Sequence, residues 1–138
     1  MPRARSVNPP THSPKTTRRK GKPGEFSSQR RIVTALCYDM VGSTNLLQLL
    51  DIEDYQELIA AFQAAARQAI TSSSGIVQLE AGDGGVALFP IELGAKDAAS
   101  LAIRAGLKII EACHQVGNEY GRGDLHVRIG IATSVALI

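Results

Sequence analysis

One stretch, IVTALCYDMVGST (residues 32–44), constrains the fold of this chain more than any other. Its first eight residues (32–39) are rich in apolar and β-branched types, which predicts a central strand covered on at least one face. This strand ends in an acid, Asp39, and the tripeptide Gly42-Ser43-Thr44 follows closely. Because an unpaired buried charge is costly, the carboxylate is either solvated at the strand end or held next to a cation.

The remaining sequence predicts the element order β-α-α-β-β-α-β. The predicted elements are strand 32–39, helix 43–50, a helix from Asp51 to the TSSSG run, strands 76–81 and 86–89 joined through GDGG, a long helix capped by Asp97, and strand 125–138. Ser43 or Thr44 is the expected N-cap of the first helix, since both residue types favour that position.

This order predicts an α/β (α+β) fold, a ferredoxin-like βααββαβ sandwich with helices on one face of an antiparallel sheet. In that topology the first strand lies beside the third and antiparallel to it. The end of strand one, at Asp39, therefore meets the start of strand three, just after Asp83. The two acids, 44 residues apart in sequence, are expected to lie close enough to share a ligand.

Two neighbouring carboxylates repel each other unless a cation lies between them or one is protonated. Oxygen ligands without His or Cys nearby favour Mg²⁺ or Mn²⁺ over Zn²⁺. The helix that begins near Gly42-Ser43-Thr44 adds free backbone N–H groups, which bind anions. Together these features predict a site for a metal–triphosphate complex.

The charge of the chain is unevenly distributed. Residues 1–31 hold nine of the 15 basic residues and one of the 13 acidic residues, so the net charge of +2 combines a basic tail with an acidic body. The tail (1–30) is rich in Pro, Ser and Thr and is predicted to be a disordered, solvated segment. A basic arm that contacts nucleic acid or anionic lipid is the alternative.

Localisation is predicted from two further features. No stretch approaches the roughly 20 apolar residues that cross a bilayer. Cys37 and Cys113 lie within apolar patterns, so two buried, reduced thiols and a cytoplasmic location are expected.

Three stretches carry a resemblance to a known family: RRIVTALCYDMVGSTNLLQLL, GIVQLEAGDGGVALFP and LHVRIGIATS. In order and spacing they resemble the catalytic domain of class III adenylyl/guanylyl cyclases, over residues 31–138. The resemblance implies a lyase of signal transduction that converts ATP or GTP to a 3′,5′-cyclic nucleotide and pyrophosphate by a two-metal mechanism. It further implies a homodimer, or a heterodimer with a complementary cyclase domain.

The resemblance also implies roles for individual residues. The ligands of two Mg²⁺ or Mn²⁺ ions would be Asp39, Asp83 and the carbonyl of Met40. The β- and γ-phosphates of the nucleoside triphosphate would contact Gly42, Ser43 and Thr44.

The sequence departs from the family in several places. Leu79 stands where a base-reading Lys is common, and Ala132-Thr133-Ser134 replaces a His-Thr-Gly motif. The segments that supply an Asn and an Arg for the transition state would follow the last predicted strand. We therefore expect a domain that is incomplete at its C-terminus, retains the metal–triphosphate half-site and has little or no activity alone.

The other candidate residues have simpler interpretations. Arg122 is predicted to be a loop charge and Arg128 a solvent-facing strand residue. His114 and His126 are expected to be structural or solvated, without a ligand partner.

Two alternative functions remain. The first is a non-catalytic, cyclase-like dimerisation or regulatory module. The second is nucleic-acid binding through the basic arm, which the acidic body and the scarcity of aromatic residues disfavour.

Overall fold

The fold was analysed in a computed structural model that describes residues 29–93 and 95–137. Residues 1–28 of the predicted disordered tail lie outside these ranges. The elements are β1 (Arg30–Val41), α1 (Ser43–Leu49), α2 (Ile52–Ser72), β2 (Ile76–Ala81), β3 (Gly84–Pro90), a 3₁₀ turn (Ile91–Leu93), α3 (Ala95–Glu119) and β4 (His126–Leu137).

The four strands form one antiparallel sheet in the order β2-β3-β1-β4. This order confirms the predicted ferredoxin-like α+β architecture, with β1 in the centre beside β3. In the β1–β3 ladder Asp39 lies opposite Gly84, so the C-terminal end of β1 meets the N-terminal end of β3 as predicted.

Successive side chains of β1 alternate between a face covered by the helices and a more exposed face. Leu36, Tyr38 and Met40 are buried and belong to the core that α2 and α3 complete. Asp39, on the other face, is only partly covered, and Cys37 is exposed. The prediction that both thiols are buried is thus wrong for Cys37, because its position in the period of two turns it away from the helices.

The second thiol behaves as predicted. Cys113 is fully buried on α3, and this burial raises the pKa of its thiol. Both cysteines are free, so no disulfide links β1 to α3.

The core lies between the sheet and the two long helices. Its fully buried residues include Leu36, Leu58, Phe62, Ala66, Ile70, Ala87, Phe89, Ala98, Ala102, Ala105, Ile109 and Cys113. Phe62 packs edge-to-face on Tyr38, with ring centroids 6.0 Å apart. Small residues dominate the buried part of α3, which lets this helix lie close to β1 and β4.

Several element boundaries differ from the predicted ones. β1 spans Arg30–Val41 rather than 32–39, so Asp39 lies two residues before the end of the strand. α1 ends one residue earlier than predicted, at Leu49, and β4 begins one residue later, at His126. β3 begins at Gly84 rather than at Val86, because the glycines pair with β1 and leave a turn of only two residues. α3 begins at Ala95, two residues before Asp97. In the described ranges no helix is both long and apolar enough to cross a membrane.

The packing of Phe62 generates a stability prediction. Phe62→Ala removes a fully buried ring and is expected to lower the free energy of unfolding by about 3–5 kcal/mol. Ile103→Ala is the matched control on α3, since Ile103 is 54% exposed, and should change it by less than about 0.5 kcal/mol. Urea unfolding followed by circular dichroism measures both values. Equal losses would contradict this assignment of the core.

Candidate functional site

Asp39 lies near the C-terminal end of β1 and is neither buried nor unpaired. Its side chain is 50% exposed, and its Oδ2 accepts a hydrogen bond from Arg128 Nη2 at 2.8 Å. Asp39 and Arg128 are direct register partners across β1 and β4. The cation beside this carboxylate is therefore, in this structure, a guanidinium from the neighbouring strand.

Arg128 is a site residue that sequence reasoning missed. It is solvent-facing as predicted, with its side chain 75% exposed, but its contact with Asp39 was not foreseen. The pairing depends on the β1–β4 register, which joins residues 89 positions apart. An exposed ion pair of this kind stabilises the fold by only about 0–1 kcal/mol.

Asp83 occupies the two-residue turn between β2 and β3 and is tied to the end of β1. Its backbone carbonyl accepts a hydrogen bond from the Met40 N–H at 3.1 Å. Its side-chain Oδ2 accepts a hydrogen bond from the hydroxyl of Ser43. The structure therefore brings Asp39, Asp83 and Ser43 to one end of the sheet.

Close backbone approach at Gly84 sets the distance between these strands. A Cβ at Gly84 would lie 2.6 Å from the carbonyl oxygen of Tyr38 and 3.6 Å from Asp39 Oδ1. No side chain fits at this position without displacing β1. Gly84 thus leaves room for the Asp39 carboxylate beside the turn that holds Asp83.

The start of α1 differs in detail from the prediction. Gly42, with φ 82°, is the N-cap, and no side chain caps the helix. Ser43 and Thr44 are instead its first two residues, because the left-handed conformation at Gly42 ends β1, while the Ser43 hydroxyl bonds to Asp83. Thr44 is exposed, and a Cβ at Gly42 would meet no atom within 4 Å. The backbone at Gly42 is therefore open to approach.

A buried polar layer supports the Asp83 turn from the side of the helices. The Tyr38 hydroxyl donates to Gln63 Oε1 at 2.7 Å. Gln63 Nε2 donates to the carbonyl oxygens of Gly82 at 2.8 Å and Gly84 at 2.9 Å. Gln63 was missed because it is polar, yet the helical period places it on the same face as Ile59, Ala66 and Ile70.

Burial and nearby charges shift the pKa values of Tyr38 and of the charged pair beside it. Burial of the Tyr38 hydroxyl raises its pKa to about 12, and the negative charge of Glu80 acts in the same direction. Arg67 donates two hydrogen bonds of 2.8 Å to Glu80, which lowers the pKa of that carboxyl. The Arg67–Glu80 contact also raises the pKa of Arg67 and links α2 to β2.

The remaining candidate residues belong to α3, the α3–β4 loop and the start of β4, where His126 is the register partner of Val41. The rings of His114 and His126 form a T-shaped contact with centroids 5.9 Å apart, a neighbour relation that the sequence did not suggest. Arg122 lies in the α3–β4 loop, where its backbone bonds to Gly117 and Leu125. Within the described ranges, no group of three or more His, Cys, Asp or Glu residues is arranged to hold a metal ion.

One surface pocket adjoins the site, and a larger one lies far from it. A small pocket of about 140 Å³ adjoins Gly42 and is lined also by Asn45, Asp124 and His126. A larger, mainly apolar pocket of about 300 Å³ lies at the opposite end of β1, beside the Arg31–Glu92 ion pair. The carboxylates do not face the larger pocket, so its size is no guide to the chemistry.

The residues at this end of the sheet suit a hard divalent cation. Asp39 and Asp83 offer carboxylate oxygens, and their hydrogen bonds to Arg128 and Ser43 each use Oδ2. Among the described residues, the Oδ1 atom of each acid has no hydrogen-bond donor. Carboxylate and carbonyl oxygens are the ligands that Mg²⁺ and Mn²⁺ prefer.

Comparison with solved structures identifies the fold. The chain is similar to the adenylyl cyclase CyaB from P. aeruginosa (TM-score 0.75, 21% identity, 81% of this chain and 60% of that one). It is also similar to the guanylyl cyclase Cya2 (TM-score 0.72, 26% identity, 80% of this chain and 57% of that one). A dimeric guanylyl cyclase domain of the RhoGC fusion protein from the aquatic fungus Blastocladiella emersonii matches with TM-score 0.64 at 15% identity, over 80% of this chain and 61% of that one. The chain thus has a cyclase-like fold.

Sequence comparison gives one curated relative, an uncharacterized protein of Rhizobium meliloti (strain 1021). It is 67% identical over 132 residues, which are 93% of this chain but 13% of the relative. No family model matches the chain. The chain therefore spans about an eighth of that relative and less than two thirds of the cyclases described above.

The raised pKa of Tyr38 predicts a specific alkaline titration. Because the pKa in the folded chain exceeds the ordinary value of 10.0, the hydroxyl contributes its full stability below pH 10, and this contribution falls as the pH rises towards 12. Tyrosinate absorbance of the parent minus that of Tyr38→Phe should show one group titrating near pH 12. A difference curve centred near pH 10 would contradict the burial of the Tyr38 hydroxyl.

Proposed function

We propose that this chain supplies the metal–triphosphate half of a class III nucleotide cyclase site, in which Asp39 and Asp83 hold two Mg²⁺ or Mn²⁺ ions. The observation that carries the proposal is the register of β1 and β3. With Asp39 opposite Gly84, two acids from separate elements lie at one end of the sheet beside the start of α1.

The proposed reaction converts ATP or GTP to a 3′,5′-cyclic nucleotide. The ribose 3′ oxygen loses its proton and forms a bond to the α-phosphorus, while the bond from that phosphorus to the β-phosphate oxygen breaks and pyrophosphate leaves. The two metal ions, when bound, would favour loss of the 3′ proton and neutralise the leaving phosphates. The proposed role of this chain is to hold the metal ions and the phosphates in fixed positions.

Each residue of the site has a proposed part in binding. Ser43 orients one oxygen of Asp83, which leaves the other free to face a cation. Gly42 has no Cβ that would obstruct a phosphate, and the first N–H groups of α1 have no partner within the helix. The Met40 carbonyl is the third proposed metal ligand, and Thr44 is exposed beside Ser43.

Arg128 has a proposed part that the sequence did not suggest. Its guanidinium compensates the charge of Asp39. With a cation bound to Asp39, the same guanidinium would remain close to the site and could bind phosphate oxygens, for which its geometry is well suited.

The proposed half-site requires complementary groups for base recognition and for the transition state. These would come from elsewhere in a longer protein or from a second subunit, in a homodimer or in a heterodimer with a complementary cyclase domain. Support comes from the dimeric state of one of the similar cyclases.

A non-catalytic, cyclase-like dimerisation module is the second candidate. The Asp39–Arg128 ion pair favours it, because a guanidinium from the neighbouring strand compensates the charge of this carboxylate. Leu79, which stands where the family's base-reading Lys is common, is 54% exposed on β2. A pure interaction module would bind neither Mn²⁺ nor nucleotide, so binding measurements separate the two candidates.

The metal assignment predicts the effect of removing either carboxylate. Asp39→Asn and Asp83→Asn should each weaken Mn²⁺ binding by about tenfold or more, because each removes a charged ligand. Asp54→Asn, in the exposed first turn of α2, is the matched control and should bind like the parent. Calorimetric titration with Mn²⁺, alone and with a non-hydrolysable ATP analogue, measures the affinities. If both site variants bind like the parent, the assignment is wrong.

The half-site proposal also predicts what the 138-residue chain does alone. Incubated with ATP or GTP and Mn²⁺, it should bind nucleotide yet form little or no cyclic product. Chromatographic detection of cyclic AMP and cyclic GMP, with Asp39→Asn as the background control, measures turnover. Robust product formation by the purified chain, absent from that variant, would overturn the half-site and indicate a complete enzyme.

A further inference from the structure

Gln63 is a polar residue on the otherwise apolar face of α2, and it is only 8% exposed. Its amide oxygen accepts from the Tyr38 hydroxyl, and its amide nitrogen donates to the carbonyls of Gly82 and Gly84. Both amide hydrogens are thus engaged, one with each carbonyl. An apolar residue would fill this position without the cost of burying an amide, so the hydrogen bonds are the reason for a glutamine here.

The two carbonyls that Gln63 binds belong to the residues immediately before and after Asp83. From the other side, the Met40 N–H binds the Asp83 carbonyl and the Ser43 hydroxyl binds its carboxylate. Asp83 is therefore held at its own carbonyl, at its side chain and through the carbonyls of both flanking residues. Gln63 supplies the two contacts that come from α2.

Tyr38 fixes the orientation of the Gln63 amide. Because the hydroxyl donates to Oε1, the nitrogen of the amide must face the two carbonyls, which can only accept. A flipped amide would place its oxygen against carbonyl oxygens and its nitrogen against a hydroxyl proton. The arrangement has one favourable orientation, and that orientation binds the turn.

The glycines of the hairpin fit this arrangement. A Cβ at Gly85 would lie 2.6 Å from both the Tyr38 hydroxyl oxygen and the Leu79 carbonyl. Gly82 has a positive φ of 55°, whereas Gly84 and Gly85 do not. Gly82 therefore serves the turn conformation, while Gly84 and Gly85 allow β1 and the Tyr38–Gln63 pair to lie directly against the turn.

We propose that Gln63 is a positioning residue that fixes the Asp83 turn from α2, with Tyr38 holding its amide in the correct orientation. The expected effect of Gln63 on metal binding rests on the proposed function of Asp83, whereas its effect on the conformation of the turn does not. Gln63 contacts no substrate in this scheme, and it acts only through the backbone on either side of Asp83.

The first test measures the turn itself, in the absence of metal, by amide hydrogen exchange in NMR. Gln63→Glu keeps the shape of the side chain but loses its two N–H donors, and Gln63→Leu removes all three hydrogen bonds. Both should raise the exchange rate of the Met40 amide about tenfold or more relative to the Leu36 amide in the middle of β1. The Met40 amide reports on the turn because it donates to Asp83.

Two controls separate positioning from general stability. Gln68→Glu changes an exposed residue of the same helix and should leave exchange unaltered. Ile109→Val removes a buried methyl group on α3 and should raise exchange at both amides alike, without selectivity for Met40. If Gln63→Leu fails to fold, Gln63→Glu and Tyr38→Phe provide the comparison. Exchange at Met40 that rises no more than at Leu36 in these variants would overturn the proposal.

The second test measures Mn²⁺ affinity in the same variants. We expect Gln63→Glu and Gln63→Leu to bind Mn²⁺ about tenfold more weakly, with Gln68→Glu and Ile109→Val unchanged. If the parent binds Mn²⁺ and the Gln63 variants bind it equally well, the proposed effect of Gln63 on metal binding is overturned. If the parent binds no Mn²⁺, the proposed function fails, and amide exchange alone decides whether Gln63 fixes the turn.

Discussion

The antiparallel register of β1 and β3, with Asp39 opposite Gly84, is the constraint on which the rest of the structure depends. A shift of one residue would exchange the two faces of β1. Tyr38 would then leave the core and Asp39 would enter it, at the cost of burying a charge. The same alternation that buries Leu36, Tyr38 and Met40 thus keeps the carboxylate at the surface, beside Arg128 and at the same end of the sheet as Asp83.

Much of the fold was predictable from local sequence patterns. The apolar strand that ends in Asp39 and the helical period of α2 and α3 determine the element order, and that order leads to the observed sheet. The approach of Asp83 to the end of β1 followed from topology alone. The N-cap was wrong because residue preferences do not reveal that the Ser43 hydroxyl has a better acceptor in Asp83, on a distant hairpin.

The parts of the site that were missed depend on contacts between distant segments. Arg128 contacts Asp39 only because of the register in which β4 pairs with β1. The hydrophobic pattern of the sequence predicts that this arginine faces solvent, but not which residue it contacts. Gln63 did carry a signal, since a polar residue four positions after Ile59 and three before Ala66 lies on the buried face of its helix. A buried amide needs partners, and in the fold these are the Tyr38 hydroxyl and the carbonyls of Gly82 and Gly84.

One side of the site is fixed by buried hydrogen bonds, and the other side is exposed to solvent. Asp83 is fixed by the buried Tyr38–Gln63 layer, whereas Asp39 is 50% exposed and Arg128 is 75% exposed. Charges in contact with water interact weakly, and the same charges interact much more strongly where water is excluded. A second protein surface over this end of the sheet would therefore strengthen every interaction of the proposed metal–triphosphate complex. In the proposed assembly, covering Asp39 and Arg128 is therefore the step that would make their charges effective.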